Sequence, residues 1–356
     1  MSVRWRRSCM GNDFIKTCAA GCQSVGAWWG RGAALGICLL CGVAAAEPAP
    51  ESHIQVVTPP DRGVLESSLA TVTVRLQAAL PDEIQIFVNR RRVRLPKKQF
   101  RQYMACFDGI ELAGGKNTIR VVTLKEGKPV EEKTSTVFVH SDLSSDAATA
   151  STGFERYTFH EREHERVCLP CHQLDFSTAA LEETRAENSP CYQCHKKMLT
   201  AYINAHGPAA VGGCLGCHER STKPKLSVPK PEGKLCNSCH ENSWPDMPFG
   251  HGPTAAGSCA VCHDPHGSNY PYFLRKPAAD LCAGCHEDVL ARPHVIMGFS
   301  NNGHPVRKSP DPYHPSQEFT CVSCHNPHAG VTPAFLQNYD GVSPISNFCV
   351  TCHAMR

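Results

Sequence analysis

Apolar and polar side chains alternate along one stretch of the chain and nowhere else. Thr71-Val72-Thr73-Val74-Arg75-Leu76, Glu83-Ile84-Gln85-Ile86-Phe87-Val88 and Thr118-Ile119-Arg120-Val121 follow a period of two, and Val137-Phe138-Val139 closes the series. That period belongs to strands buried on one face. Turn signals separate the strands: Pro59-Pro60-Asp61, Leu80-Pro81-Asp82, Ala113-Gly114-Gly115 and Glu126-Gly127-Lys128. Short, evenly spaced strands predict an all-β sandwich over residues 54–140. Residues 141–158 are rich in Ser, Ala and Thr, lack apolar periodicity, and read as a linker. From Phe159 to Arg356 the composition turns to Pro, Gly, His and Cys, with few aliphatic residues. At the other end, the apolar run Ala33 to Ala46 follows Arg31 and closes on Ala44-Ala45-Ala46. Residues 1–46 therefore read as a secretory signal peptide cleaved after Ala46, too short to span a membrane as a helix. Met10 is an alternative start. A lipid anchor through Cys38 or Cys41 is disfavoured by the bulky Ile37 and Leu40.

The region after residue 159 carries eight copies of one pentapeptide. These are Cys168-Leu-Pro-Cys171-His172, Cys191-Tyr-Gln-Cys194-His195, Cys214-Leu-Gly-Cys217-His218, Cys236-Asn-Ser-Cys239-His240, Cys259-Ala-Val-Cys262-His263, Cys282-Ala-Gly-Cys285-His286, Cys321-Val-Ser-Cys324-His325 and Cys349-Val-Thr-Cys352-His353. Cys-x-x-Cys-His is the attachment site of c-type haem: two thiols form thioethers to the porphyrin, and the adjacent histidine is the proximal iron ligand. Zinc would use such cysteine pairs but would not require the following histidine every time. The copies start 23, 23, 22, 23, 23, 39 and 28 residues apart. A second pattern overlays the first. His160, His206 and His251 each lie eight residues before the first cysteine of alternate motifs, and His314 lies seven before the next. The repeating unit is thus a pair of motifs, present four times.

Cleavage after Ala46 removes five of the 22 cysteines, sixteen of the remainder sit in motifs, and only Cys106 is left over. It reads as a small buried hydrophobe. The formal net charge of +3 also rests on the leader, which holds five basic residues and one acidic residue; the mature apo chain carries −1. Haem propionates add further negative charge, so no nucleic-acid partner is expected.

The run Cys259-Ala-Val-Cys262-His263-Asp-Pro-His266 followed by Leu281-Cys282-Ala-Gly-Cys285-His286 resembles the doubled-CXXCH unit of multihaem c-type cytochromes, and 321–353 is similar. Leu112-Ala113-Gly114-Gly115-Lys116-Asn117-Thr118-Ile119 resembles the late-strand region of bacterial immunoglobulin-like domains. The fold class implied is multidomain: an N-terminal all-β immunoglobulin-like sandwich, then a haem-organised cytochrome c domain (159–356) with short helices and sparse secondary structure. The cofactor implied is haem c, eight copies, covalently attached.

Beyond the eight proximal histidines the region holds nine more: His160, His164, His206, His251, His266, His294, His304, His314 and His328. All nine are candidate distal ligands. Eight six-coordinate irons need eight of them, so His164 and His314 compete for the surplus place. Met198, Met247, Met297 and Met355 recur at no fixed offset and read as packing. Full bis-histidine ligation implies an exported electron carrier with no catalytic residues, periplasmic, outer-membrane-associated or at the cell surface. Its partners would be other redox proteins: cytochromes, quinol oxidoreductases, terminal reductases or a membrane conduit complex. The alternatives are a reductase of nitrogen or sulfur oxyanions, or a structural subunit of a conduit. Arg90, Arg91, Arg92, Arg94, Lys97, Lys98 and Arg101 form a basic patch, read either as a solvated hairpin or as a docking surface for an acidic partner.

Overall fold

The computed structural model describes residues 53–77, 80–95, 103–143, 149–174, 186–241, 244–291, 294, 303–304, 306–312 and 314–353. The leader, Lys97, Lys98, Arg101, Met297 and Met355 lie outside them. All described residues fall within one compact unit, Glu51–Arg356.

The alternating stretches form two sheets. Strands β1 (Ile54–Thr58), β3 (Leu69–Leu76) and β6 (Met104–Glu111) make an antiparallel sheet in the order β1-β3-β6. The other sheet is built from β2 (Gly63–Leu65), β4 (Glu83–Val88), β5 (Arg91–Arg92), β7 (Gly115–Lys125), β8 (Lys128–Val139) and β9 (Glu155–Arg156). Its order is β5-β4-β7-β8-β2-β9, with β2 running parallel to both neighbours. Period two places Val72, Val74, Ile84, Ile86, Ile119, Val121, Val137 and Val139 in one shared core, while Glu83, Gln85 and Phe87 stay half-buried on the outer face. There the Arg120 guanidinium sits 4.1 Å over the Phe87 ring.

Predicted turns occur where the residues allow them. Glu126 and Gly127 both take positive φ, 52° and 74°, the two-residue turn whose twist matches a hairpin, and they join β7 to β8. Asn117 is fully buried and stitches the Ala113-Gly114-Gly115 turn. Its Nδ2 donates to the Ala113 and Gly115 carbonyls (2.7 and 2.9 Å), and its Oδ1 accepts from Ala113 N–H (3.0 Å) and Asn89 Nδ2 (2.8 Å).

Residues 141–158, expected as a linker, contain a buried Leu143 and the strand β9, which pairs with Gly63–Val64. Cys106 departs from expectation. It is exposed, on the face of β6 opposite the core, because its neighbours Ala105 and Phe107 take the inward positions; there the Thr73 hydroxyl donates to its sulfur at 3.8 Å. In the basic patch, Arg92 pairs with Glu83 at 2.8 Å and Arg91 with Glu111 at 4.0 Å.

After β9 the regular structure is short: helices α1 (Arg162–Glu165), α2 (Tyr192–Thr200), α3 (Gly207–Ala210), α4 (Gly233–Cys236), α5 (Gly252–Ala255), α6 (Ala278–Cys282), α7 (Glu287–Ala291) and α8 (Ile345–His353). Two-residue ladders join β10 (Asn204–Ala205) to β12 (Gly267–Ser268), and β11 (Phe249–Gly250) to β13 (Ala329–Gly330). Helix α2 packs on β6, where a Cβ on Gly109 (φ +60°) would meet the Lys197 side chain. Among the described residues no helix is long and apolar enough to cross a membrane.

Asn117→Ala is expected to destabilise the β region by about 1–3 kcal/mol, because the Ala113 and Gly115 groups would lose their buried partners. Chemical unfolding followed by far-ultraviolet circular dichroism measures the change.

Candidate haem sites

Each motif is one tight turn. In the first seven, the carbonyl of the first cysteine accepts from the N–H of the second cysteine (3.1–3.3 Å) and from the N–H of the histidine (2.8–3.1 Å). The eighth lies in α8. Residues three and four apart share one side of such a turn, so both thiols and the imidazole leave together. All eight motif histidines, and every motif cysteine but Cys171, line one cavity of about 2890 Å³. Buried apolar residues are few here: Ala279, Leu281, Phe319 and Ala329. The interior of this region is therefore space framed by thiols and imidazoles, which fits bulky apolar macrocycles bound through those groups.

The histidines face one another across that space. Ring centres lie 6.2 Å apart for His160–His195, 5.9 Å for His206–His240, 6.0 Å for His266–His218 and 6.1 Å for His251–His286. They lie 6.1 Å apart for His328–His263, and 6.0 Å for both His294–His325 and His304–His353. Other ring contacts scatter from 3.9 to 6.3 Å. An iron held on both sides at a metal–imidazole length of about 2 Å would set ring centres about 6 Å apart. The residues thus fit haem iron between them.

The facing histidines come in bonded couples. His206 N–H donates to the His266 carbonyl (3.1 Å), His251 to His328 (2.9 Å) and His304 to His294 (3.1 Å). In each couple the donor faces the second motif of a unit and the acceptor faces the first. For the second and third units the acceptor comes from the following unit, brought in by the β10–β12 and β11–β13 ladders. The fourth unit is completed differently. The long gap between the sixth and seventh motifs supplies both its histidines, and His304 takes the role that repeat position would give to His314. Among the described residues, His164 and His314 face no proximal histidine, and no histidine ring faces His172.

Three stretches of the chain, 206–243, 251–291 and 314–356, match the family described as Doubled CXXCH motif. The chain carries the doubled repeats of multihaem cytochromes c. The doubled CXXCH motif is an attachment site for covalent haem c. No curated protein matches. Among solved structures, the chain is similar to a protein assigned as a beta-galactosidase from Bacteroides fragilis (20% identical, 24% of this chain, 12% of that one, TM-score 0.18). It is also similar to the endo-beta-1,4-mannanase from Thermotoga petrophila (13% identical, 27% and 21%, TM-score 0.22) and to an engineered protein (15% identical, 24% and 19%, TM-score 0.19). The chain spans at most 21% of their lengths, and likenesses of this size carry no argument.

Around the cytochrome motifs, hydrogen bonds at Nδ1 fix the imidazoles and leave Nε2 for the iron. Nδ1 of His218, His263 and His325 bonds the carbonyls of Leu226 (2.7 Å), Tyr272 (2.7 Å) and Ala334 (2.5 Å). His251 uses Pro327 O (2.8 Å), and His160 and His266 use the carboxylates of Glu165 (3.1 Å) and Asp264 (3.2 Å). Burial pushes His195 down to about 4 and lowers His218, His294 and His328, so these rings are neutral, the ligating form, at neutral pH.

Residues outside the motifs support these rings. Phe273 and Phe335 stand edge-on to His206 and His251, and Trp244 stacks on His328 at 3.9 Å. The two phenylalanines had a signal in the sequence: Pro271-Tyr272-Phe273-Leu274 and Pro333-Ala334-Phe335-Leu336 recur at the same distance after the fifth and seventh motifs. Trp244 recurs nowhere.

Thiols of successive motifs are neighbours. Cys191 lies beside Cys214, Cys236 beside Cys259 and Cys282 beside Cys321. Cys217 and Cys239, Cys262 and Cys285, and Cys324 and Cys352 are close enough for their charges to interact.

Chain made without haem attachment is expected to keep its β sheets while losing order after β9. Limited proteolysis with mass readout should then cut throughout 159–353 and spare 53–143.

Proposed function

We propose that this chain is an exported octahaem cytochrome that relays electrons through irons ligated by two histidines. Seven histidine pairs, all within 5.9–6.2 Å, carry the reading. Haem iron, held from both sides, exchanges one electron between ferric and ferrous states and has no site for substrate. The protein supplies eight fixed attachment turns and carbonyl-anchored imidazoles. It also sets the order of motifs, in which the thiols of each neighbour the thiols of the next. That order supports an extended row of redox centres rather than a cluster around one catalytic centre. Bis-imidazole ligation lacks the potential-raising effect of axial methionine, so low potentials are expected.

The signal-like leader supports export, and with it a periplasmic, outer-membrane-associated or cell-surface location. The partners are other redox proteins. The two-sheet region serves as an immunoglobulin-like assembly module, consistent with a conduit subunit. Its arginine hairpin is in part neutralised by Glu83 and Glu111, which favours the solvated reading over docking.

Intact-mass measurement is expected to find eight haem additions. His266→Ala should convert one low-spin iron to a high-spin one in electron paramagnetic resonance, with the other pairs unchanged. An unaltered spin count in that variant would remove His266 as a ligand.

A further inference from the structure

We infer that the first motif, Cys168-Leu-Pro-Cys171-His172, holds a haem whose distal side is left open by the protein and takes a small exogenous donor, a diatomic such as carbon monoxide or nitric oxide. The inference rests on the axial-pair reading of the other seven motifs.

The repeat itself locates the opening. His266 and His328 each lie three residues after the proximal histidine of their own motif, and each reaches back to face the first motif of the preceding unit. Carried one unit earlier, the position that should face His172 is three residues after His218. That residue is Ser221. A serine hydroxyl in place of the imidazole removes the donor.

The surrounding structure changes to match. In the second and third units a two-residue ladder couples the facing histidines. Between the first and second units Glu165 occupies the junction instead. It is buried, and its carboxylate takes the His160 ring (3.1 Å) and the Lys225 ammonium (3.3 Å). His160 still faces the second motif, so only the first lacks a partner. The first unit is also the one outside the three matched stretches.

No other histidine substitutes. Every histidine of the chain lies among the described residues. His164 sits on the same run of turns as His172: Glu165 N–H donates to Glu161 O, Cys168 to Glu165, and His172 to Cys168. The two rings therefore project from one track rather than toward each other. His314 belongs to the far unit, its N–H on the Asp311 carboxylate at 3.2 Å. A hydrogen-bonding group for the bound diatomic lies close by: the Tyr157 hydroxyl is buried and has no hydrogen-bond partner among the described residues, and the ring sits beside Cys168 and against His164 at 4.7 Å.

The test uses full-length holoprotein, reduced, and titrated with carbon monoxide while visible absorbance is followed. One equivalent bound per eight haems is expected, with one high-spin ferric iron in electron paramagnetic resonance. Ser221→His should abolish that equivalent and the high-spin signal, since it restores the donor at its repeat position; His164→Ala should keep one. Wild-type protein that binds no carbon monoxide overturns the inference, as does Ser221→His that still binds one equivalent. More than one equivalent in the wild type contradicts instead the bis-histidine reading beneath it.

Discussion

Two imidazole rings held about 6 Å apart, one from a motif and one from a distant loop, set the main constraint on the second half of this chain. The segment has too few aliphatic residues to bury a core of its own, and its helices are too short to be stable alone. What it has is a set of turns, each delivering two thiols and an imidazole in one direction, and a set of loops that bring a second imidazole opposite. With haem attached, each facing pair ties residues far apart in sequence to one point, so the cofactors serve as both core and crosslinks. Carbonyls at Nδ1, edge-on phenylalanines and backbone bonds between coupled histidines fix the rings before any electron moves.

The two halves of the molecule therefore meet the same requirement by different chemistry. Between the sheets, Val72, Val74, Ile86, Ile119 and Val121 exclude water by side-chain packing, and the order is continuous along each strand. Beyond β9 the ordering elements are discrete contacts: a two-residue ladder, a hydrogen bond between histidines, a thiol beside a thiol. The halves touch where β6 meets α2, and Cys106, turned away from the sandwich core, lies on that face. Its exposure follows the local alternation, since Ala105 and Phe107 on either side are buried.

Interlocking also explains the irregular spacing of the repeats. The second and third units are each completed by a histidine from the next, and the fourth is completed by a substitute. The 39-residue gap before the seventh motif provides one, as the His294–His304 couple. For the first unit the repeat position that would supply that histidine is Ser221.

Local order was legible in the sequence. Period-two alternation marked β3, β4 and β7, the Glu126-Gly127 turn marked a hairpin, and the pentapeptides marked covalent haem attachment, because each depends on residues within one turn or one strand. The count of nine spare histidines was legible too, and so was the ambiguity of His164 and His314. Which histidine faces which motif was not. The donors arrive from neighbouring units through loops without periodicity, and the offset of eight residues before alternate motifs led to His206, His251 and His160 without revealing that each faces the second motif rather than the first. Only the tertiary structure decides that assignment, since it depends on how one repeat reaches back over another, and it alone shows that His164 and His314 both stand aside, leaving His172 unmatched.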